Sequence, residues 1–425
     1  MIGRILYISY DGMTDPLGQS QVMPYLEGIA GRGFEIALIS AEKKHRLGDS
    51  GTIVERQTAR AGIEWRPVYY TKRPAVLSTV FDIGKITRLA VRLHQREPFH
   101  IVHCRSYISA FTGLYLKRHF GVKFLFDMRG FWADERVEGG LWDLGNPLFR
   151  IIYRYFKRKE TDFLREADYA VILTDTGRNE LMSWKDRIGR LPPVDVIPCC
   201  TDLDHFSYET ITEEMKKITL EELRLRDSDF IITYLGSLGT WYMIDEMLRF
   251  FKLLSDVKPG SRFLVITQDD PGILIRKASM HGISPESMRI RPASRPEVPV
   301  LISLGRFSLF FIKSVYSKKA SSPTKFAEIL GMGMPVVCNS GVGDLDHLMD
   351  EVCPDCAARD FSDREMKRLA AHIADHPPFD PERLRAISKK FFSLENGVEK
   401  YSRIYSYLIR PAKTWRNGSC AVSSD

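Results

Sequence analysis

A stretch in the second half of the chain combines groups that could bind a phosphorylated ligand. Residues 321–337 read SSPTKFAEILGMGMPVV, which predicts a loop, a helix that starts at Pro323 with Ser322 as its N-cap, and a buried strand after a glycine-rich break. The unpaired amides and positive dipole end of this helix, at Ser321, Ser322 and Thr324, would suit a phosphate or diphosphate. The pattern therefore predicts an anion site at the start of a helix.

Glu328 lies one helical turn further and is the only carboxylate among apolar neighbours. A charge in such surroundings needs a partner, and the two hydroxyls of a sugar diol could supply one. The alternative is a surface glutamate that pairs with Lys325, three residues earlier on the same helix face. The spacing alone leaves both interpretations open.

A second cluster of charged residues follows a buried strand in the first half of the chain. Residues 123–136 read KFLFDMRGFWADER, an apolar strand that ends in several charges. Ligands of open α/β sheets bind at the carboxyl ends of the strands, so Arg129, Asp134 and Glu135 are the candidate catalytic residues. The alternative is a network of mutually satisfied salt bridges. His103, at another predicted strand end, is a weaker candidate because such histidines are more often packed than catalytic.

Two strand–loop–helix units place these clusters in a common architecture. The first has a strand at 4–9, the polar loop YDGMTDPLGQS at 10–20 and a helix from Gln21. The second has a strand at 231–235, the loop GSLGTWY and a helix from Asp245. Each unit is typical of a parallel sheet, and two of them in one chain predict two Rossmann-like domains of the α/β class. The first loop lacks the GxGxxG fingerprint of dinucleotide binding.

Three segments resemble the glycosyltransferase family 4 enzymes, which have the GT-B fold of two Rossmann-like domains facing across a cleft. They are the loop with DPLGQSQ, the string DMRGFWADE and the segment that starts at Ser321. In that family the last segment carries two glutamates separated by seven residues, and the second glutamate holds the ribose of the nucleotide sugar. Glu328 corresponds to the second glutamate, whereas Ala320 stands at the position of the first.

The resemblance implies a retaining glycosyltransferase of the hexosyltransferase type. It would move a sugar from a nucleotide-sugar donor, most commonly UDP-linked in the family, to a saccharide or lipid-linked acceptor in polysaccharide or glycoconjugate biosynthesis. The family implies no cofactor and no bound metal, since the nucleotide sugar is a substrate. Closure of the two domains would exclude water, so that the sugar reaches an acceptor.

The second glycine loop differs from the family pattern. In the family this loop leads to an arginine and a lysine that clamp the diphosphate, whereas Ser237 and Thr240 stand here. The resemblance therefore assigns the clamp to other cations, and Lys318 and Lys325 would neutralise charge on the leaving nucleotide. Arg129 would stand beside the donor sugar as a permanent cation.

The candidate site residues fall into two sets. The candidate catalytic residues are Arg129, Asp134 and Glu135. The candidate donor-binding residues are Gly18, Ser237, Lys318, Ser321, Ser322, Thr324, Lys325 and Glu328, and no metal ligand is predicted.

The resemblance also sets expected domain boundaries. The acceptor domain would comprise residues 1–203, completed by a C-terminal helix at 393–410, and the donor domain would comprise residues 204–392. The string VIPCCTDLDHF resembles the family's crossing between the domains. Residues 411–425 are predicted to be disordered.

Composition limits the class of protein and its partners. At 425 residues the chain is too long for one compact core, and 44% hydrophobic with 27% charged residues is typical of a soluble globular protein. The net charge of +7 favours phosphate-bearing ligands or an anionic membrane face and does not indicate nucleic acid. We expect no signal peptide, because a strand-like segment follows Met1 almost at once, and no apolar run is long enough to span a membrane.

The cysteines indicate a reducing compartment. There are seven, an odd number scattered through a large chain, so a cytoplasmic location is expected. Cys353 and Cys356 form a lone CxxC with no second pair and no nearby histidine pair. This spacing favours two ordinary thiols over a zinc or redox site.

Residues 146–165 predict an amphipathic helix with several arginines and lysines on one side. The pattern favours a helix that packs on the core and leaves its basic side in solvent. The alternative is that the helix contacts the inner face of an anionic membrane peripherally, or contacts a lipid-linked phosphate acceptor.

Two other functions remain open at this point. One is a nucleotide-sugar epimerase or a phosphorylase of similar architecture. The other is a non-catalytic nucleotide-sugar or carbohydrate-binding scaffold, which the missing first glutamate and the missing arginine–lysine clamp would explain.

Overall fold

Two parallel β-sheets form two Rossmann-like domains in the computed structural model, which describes residues 2–74 and 77–410. The strands of the first sheet are β1 (Gly3–Ser9), β2 (Phe34–Glu42), β3 (Glu64–Tyr69), β4 (Ile101–Arg105), β5 (Lys123–Asp127), β6 (Tyr169–Ile172) and β7 (Val194–Val196). Those of the second are β8 (Phe230–Leu235), β9 (Ser261–Ile266), β10 (Met288–Arg291), β11 (Phe307–Leu309), β12 (Val336–Asn339) and β13 (Ala357–Ala358). The spatial orders are β3-β2-β1-β4-β5-β6-β7 and β10-β9-β8-β11-β12-β13.

Helices cover the faces of each sheet, and most strands are buried almost throughout, whereas the edge strands β3, β7 and β10 are half-buried or partly exposed. In the first half of the chain they are α1 (Pro16–Gln21), α2 (Met23–Ala30), α3 (Asp49–Arg60), α4 (Leu77–Arg96), α5 (Ser106–Phe120), α6 (Trp132–Glu138), α7 (Pro147–Glu166), α8 (Asp175–Ser183) and α9 (Lys185–Ile188). In the second half they are α10 (Glu213–Leu223), α11 (Ile244–Val257), α12 (Pro271–Met280), α13 (Val298–Ser303), α14 (Thr324–Gly331), α15 (Leu345–Val352), α16 (Asp363–Asp375), α17 (Pro381–Phe392) and α18 (Leu394–Ile409).

The loop after β1 is shorter than the sequence predicts. Helix α1 begins at Pro16, directly after Asp15, because proline fits the first turn of a helix. The carboxylate of Glu42, fully buried at the end of β2, accepts hydrogen bonds from the backbone N–H groups of Met13 (2.6 Å) and Thr14 (3.2 Å). A buried side chain thus fixes the first glycine loop from the neighbouring strand.

Gly18, predicted to bind the donor, lies buried on α1. A Cβ atom at this position would overlap the carbonyl oxygen of Gly12 and lie 2.7 Å from the Cα of Met13. The absence of a side chain therefore lets the helix pack on the loop. This packing explains a glycine at position 18 without any contact to a ligand.

The last helix crosses back to the first domain. Tyr401 and Tyr405 of α18 are buried in the core formed by the first sheet and α2. The two chain crossings between the domains lie side by side, because Thr201 accepts a hydrogen bond from the N–H of Leu394 (3.1 Å) and donates one to the carbonyl of Phe392 (2.8 Å). The predicted disordered segment 411–425 lies outside the described residues.

Helix α7 matches the predicted amphipathic helix. Its Phe156 and Phe163 are buried, whereas Leu148, Ile151 and Tyr155 are exposed together with the basic side. None of the helices in 2–74 and 77–410 has the length and hydropathy that crossing a bilayer requires.

Gly18→Ala is expected to lower the free energy of unfolding by about 1–3 kcal/mol, because the added methyl group must displace backbone atoms. Gly84→Ala is the matched control: it lies inside α4 where a Cβ would meet nothing within 4 Å, so a gain of about 0.5–1 kcal/mol is expected. Urea denaturation of both variants measures the difference. Unchanged stability with weakened nucleotide binding in Gly18→Ala would instead favour a direct ligand role.

Candidate functional site

Helix α14 carries most of the predicted donor residues. It begins at Thr324, and Pro323 occupies the N-cap position without a side-chain hydrogen bond. The prediction that Ser322 caps the helix is wrong, because its hydroxyl accepts a hydrogen bond from the backbone N–H of Cys199 in the first domain (3.1 Å). Ser321, Ser322 and Thr324 are half-buried. The start of the helix, with its orphan amides, thus faces the first domain.

Lys325 lies in the first turn of α14 and is buried, with 7% of its surface exposed. Its ammonium nitrogen is 3.6 Å from the ring centre of Tyr242, 4.6 Å from that of Tyr234 and 5.8 Å from that of Phe310. Within the described residues this nitrogen has no hydrogen-bond partner. Burial lowers the pKa of Lys325 from 10.5 to about 7, and the nearby Glu328 carboxylate only partly offsets this effect.

The loop after β8 passes directly over Lys325. Gly236 has a φ of 143°, and a Cβ there would overlap the ammonium nitrogen of Lys325. Glycine is therefore required both by the backbone conformation and by the close approach of the lysine. Ser237 is exposed, and its carbonyl accepts a hydrogen bond from the hydroxyl of Tyr234. The glycine loop, the lysine and the start of α14 converge at one point.

Glu328 is half-buried one turn below Lys325. No ion pair with Lys325 within 4.0 Å is found in the part of the chain that the structure describes, so the two residues do not form the predicted surface pair. Burial raises the pKa of Glu328, and the positive charges of Arg295 and Lys325 partly oppose that rise. The carboxylate keeps its acceptor capacity for a hydroxyl-bearing ligand.

The short 3-10 helix Tyr316–Ala320, just before α14, is held by the first domain. The ammonium group of Lys318 is 2.7 Å from the Glu135 carboxylate and 3.7 Å from the ring centre of Trp241. The carbonyl of Lys319 accepts a hydrogen bond from Thr174 (2.6 Å). Lys318 is thus buried in a contact between the domains and has a carboxylate partner.

Ala320, at the position of the family's first glutamate, packs in the core of the first domain and is fully buried. The backbone of Gly177 approaches so closely that a Cβ there would lie 2.9 Å from the Cβ of Ala320. In this arrangement a glutamate would not fit at position 320. The small residue is therefore explained by the contact between the two domains.

Arg129 lies two residues after the end of β5 and has a left-handed backbone conformation, with a φ of 56°. Its guanidinium lies 3.8 Å from the Asp127 carboxylate and donates a hydrogen bond to the sulfur of Cys199 (3.4 Å). The backbone N–H of Cys199 also donates a hydrogen bond to Ser322, so Cys199 connects Arg129 to the segment that leads into α14. Burial alone would raise the pKa of Asp127. The neighbouring Arg129 and His103 have a larger opposite effect, so the pKa of Asp127 lies below its usual value.

His103 is packed, as the sequence favoured. Its ring nitrogens contact the hydroxyl of Tyr405 (2.7 Å) and the carboxylate of Asp127 (3.4 Å), and only 1% of the residue is exposed. Burial lowers the pKa of His103 despite the neighbouring carboxylate. The histidine is therefore part of the support behind Arg129.

Asp134 and Glu135 are neighbours in sequence but face different partners, because the charged string forms helix α6. The Asp134 carboxylate accepts hydrogen bonds from the hydroxyl of Tyr153 and the ammonium group of Lys157, both at 2.8 Å, and it is 8% exposed. Glu135 instead reaches Lys318 across the domain contact. This placement favours the salt-bridge interpretation for Asp134.

The predicted donor-binding and catalytic residues therefore lie in three separate places. Lys325, Glu328 and the loop at Gly236 converge, and Ser321, Ser322 and Thr324 lie at their edge. Lys318 and Glu135 join the domains beside them. Gly18 and Asp134 have structural partners elsewhere. Sequence reasoning missed the aromatic rings around Lys325, and Arg295 near Glu328, because they come from distant parts of the chain.

Comparison with known proteins supports the fold. Residues 18–200 match the family model described as a glycosyl transferase 4-like domain. Sucrose-phosphate synthase from Thermosynechococcus elongatus superposes on 96% of this chain and 99% of its own, with a TM-score of 0.69 and 14% identity. HepE from Anabaena, solved with UDP and glucose, covers 95% and 99%, with a TM-score of 0.68 and 11% identity. WaaG, a glycosyltransferase involved in lipopolysaccharide biosynthesis, covers 94% and 99%, with a TM-score of 0.67 and 14% identity.

Residues 18–200 thus match a glycosyl transferase 4-like domain, and the fold of the chain is the GT-B fold that the sequence predicts. No curated protein matches the sequence significantly. UDP-GlcNAc 2-epimerase from Neisseria meningitidis, bound to UDP-GlcNAc, shares the fold with a TM-score of 0.59 and 10% identity over 96% of this chain and all of its own. The fold alone therefore does not separate transfer from epimerisation.

The buried amine of Lys325 predicts a specific pH dependence of stability. Between pH 7 and 10.5 the unfolded chain binds more protons at this site than the folded protein, so the free energy of unfolding should rise with pH in that window. Its slope should exceed that of Lys325→Met by up to about 1.4 kcal/mol per pH unit. Urea denaturation at pH 7 and pH 9 measures this, with Lys367→Met, an exposed lysine, as the control. Equal slopes in all three proteins would contradict the buried, unpaired amine.

Asp134→Asn is expected to lower the free energy of unfolding by about 1–3 kcal/mol, because it weakens two buried hydrogen bonds to α7. The affinity for nucleotides should stay unchanged. Glu135→Gln, one residue away but directed at Lys318, is the comparison variant. Calorimetric titration combined with urea denaturation tests both; a loss of turnover without loss of stability in Asp134→Asn would restore it as a catalytic candidate.

Proposed function

We propose that the protein is a glycosyltransferase that uses a nucleotide-sugar donor, UDP-linked by preference, and transfers the sugar with retention. The observation that carries this proposal is the position of Lys325. A buried amine without a partner lies where a glycine loop and the start of a helix meet, and Glu328 follows one turn below. An anionic ligand at this point would be the negatively charged partner that the amine of Lys325 lacks among the described residues.

The donor diphosphate fits the anion site. The orphan amides at the start of α14 and the positive end of its dipole would receive phosphate oxygens, as helix N-termini commonly do. Lys325 would be fully protonated beside the phosphates and would stabilise the negative charge that develops on the leaving nucleotide. The closely packed Gly236 leaves room for this approach, since a side chain there would overlap the amine.

Glu328 suits the ribose. Its half-buried carboxylate has no ion-pair partner within the described residues, and two ribose hydroxyls would donate hydrogen bonds to it. With Glu328 one helical turn after Lys325, the nucleoside would lie beyond the phosphates along α14. The transferred sugar would then point toward the first domain, where Arg129 lies in the loop that follows β5.

Lys318 and Glu135 would act at the junction between donor and acceptor. In the structure each is the other's partner across the domain contact. A donor phosphate could take the place of Glu135 as the partner of Lys318, which would release the carboxylate toward the acceptor side. Donor binding would thereby be coupled to the contact between the domains.

The acceptor is proposed to be a saccharide or a lipid-linked saccharide. The support is the exposed apolar side of α7, where Leu148, Ile151 and Tyr155 lie beside arginines and lysines. Such a surface would bind an anionic membrane through its cations and insert its apolar side chains shallowly. The solved relative WaaG acts in lipopolysaccharide biosynthesis, which agrees with an acceptor at a membrane.

A non-catalytic scaffold is the second candidate. It is favoured by one observation, the burial of Ala320 at the position of the family's first glutamate. A protein that lost this group could keep nucleotide binding and lose transfer. Turnover separates the transferase from the scaffold. The product separates the transferase from an epimerase, since an epimerase would act on the donor without an acceptor.

The test is the thermal stability of wild type, Lys325→Met and Glu328→Ala with UDP, GDP, ADP and their sugar conjugates. A nucleotide at a hundred times its dissociation constant should stabilise the native state by about 2.7 kcal/mol. We expect a base-selective shift in wild type that is lost in both variants. Glu286→Ala, an exposed glutamate on the outside of the same domain, is the control that should keep the shift.

Incubation of the selected nucleotide sugar with saccharide and lipid-linked acceptors then tests transfer, and NMR of the product gives its anomeric configuration. No shift with any nucleotide in folded wild-type protein would remove the donor site. A shift without product on any acceptor would support the scaffold, and a donor isomer formed without acceptor would support the epimerase.

A further inference from the structure

The CxxC segment of the second domain does not stand alone in the folded protein. Helix α15 ends at Val352, and Cys353 and Cys356 enclose the short 3-10 helix Pro354–Cys356 before β13. Helix α16 then brings His372 against this turn. The Nε2 atom of His372 lies 3.8 Å from the sulfur of Cys353. The histidine that the sequence lacks nearby is thus supplied by a neighbouring helix.

We propose that Cys353, Cys356 and His372 form a Zn²⁺ site. The two sulfurs and the imidazole nitrogen all lie within 4.8 Å of one another. Tetrahedral zinc with sulfur and nitrogen arms of about 2.0–2.3 Å requires ligand atoms about 3.5–3.8 Å apart. The Cys353–His372 pair, at 3.8 Å, already has this spacing, and the two pairs with Cys356 lie within 4.8 Å, so they need to shorten by about 1 Å at most. Two thiolates and one imidazole form a donor set that zinc prefers over the hard cations.

The turn that carries the cysteines is held independently of any metal. The guanidinium of Arg368 donates hydrogen bonds to the carbonyls of Asp355 (3.3 Å) and Ala357 (3.5 Å) and to the Glu365 carboxylate (2.9 Å). Arg368 lies four residues before His372 on α16, so both project from the same helix face toward the turn. Arg368 therefore holds the turn and α16 together, and neither it nor its hydrogen-bond partners are among the three candidate ligands.

The exposure of the cluster also fits a metal. Cys356 is buried, whereas Cys353 and His372 are half-buried. A zinc ion could enter from solvent and would keep one position for water, since three protein ligands leave the tetrahedron incomplete. Both cysteines would coordinate as thiolates, and His372 would coordinate as the neutral imidazole through Nε2.

The site would join two elements that the chain leaves apart. Cys353 follows the last turn of α15, and His372 lies in the last turn of α16. The first residue before α15, Asp344, accepts hydrogen bonds from the backbone N–H groups of Asp175 (2.8 Å) and Thr176 (2.9 Å) in the first domain. The metal would thus anchor the far end of a helix whose near end contacts the other domain.

Metal content of the full-length chain is the first test, with the protein purified under reducing conditions and without a histidine tag. After incubation with zinc and gel filtration, we expect one zinc per wild-type chain and none in Cys356→Ser or His372→Gln. His347→Gln, an exposed histidine on α15, is the control that should keep the metal. Wild type should also gain thermal stability with added zinc, and the two ligand variants should not.

Cobalt(II) added to metal-free wild type is the second test, which does not depend on the folding of any variant. Thiolate charge-transfer bands with the visible bands of tetrahedral cobalt at one equivalent would support the site. The proposal is overturned if wild type retains no metal, if zinc remains in both ligand variants, or if cobalt binds without thiolate bands. It is also overturned if the two cysteines form a disulfide in protein that zinc does not protect from oxidation, since they are then a redox pair.

Discussion

Parallel pairing sends the carboxyl ends of all strands in a sheet to the same edge, and the rest of this structure depends on that constraint. The loop held by Glu42 and the left-handed residue Arg129, two residues after β5, both lie at this edge of the first sheet. In the second sheet the corresponding edge gathers the loop at Gly236 and the segment before α14. Residues far apart in sequence therefore meet at two facing edges. Parallel pairing alone is sufficient to bring the candidate residues of the two domains to the space between them.

The balance of charges at these edges is uneven. Lys318 and Arg129 have carboxylates within 4.0 Å, whereas the amine of Lys325 contacts aromatic rings and has no hydrogen-bond partner among the described residues. Attraction to the rings offsets part of the desolvation of an ammonium group but does not replace a carboxylate. A fold that keeps such a residue carries a local free-energy cost, and a ligand with negative charge would remove it. This imbalance distinguishes the candidate donor site from the surrounding salt bridges.

The sequence predicted the order of elements well, because strands with apolar runs and glycine loops repeat in both halves of the chain. It located α14 and β12, and with them Glu328. It could not separate Asp134 from Glu135, since adjacent residues on a helix point in different directions and α6 was not anticipated. The surroundings of Lys325 and the approach of His372 to Cys353 depend on tertiary contacts between elements whose spacing in sequence carries no pattern.

The return of α18 to the first domain has a consequence for the order of synthesis. Tyr401 and Tyr405 complete the core around β1 and α2, yet they are among the last described residues to leave the ribosome. The first domain therefore waits with an open apolar face while the whole second domain is made. Nascent chains in this state are prone to aggregate or to recruit chaperones. Maturation of the two halves is thus linked in time, with the N-terminal half finished last.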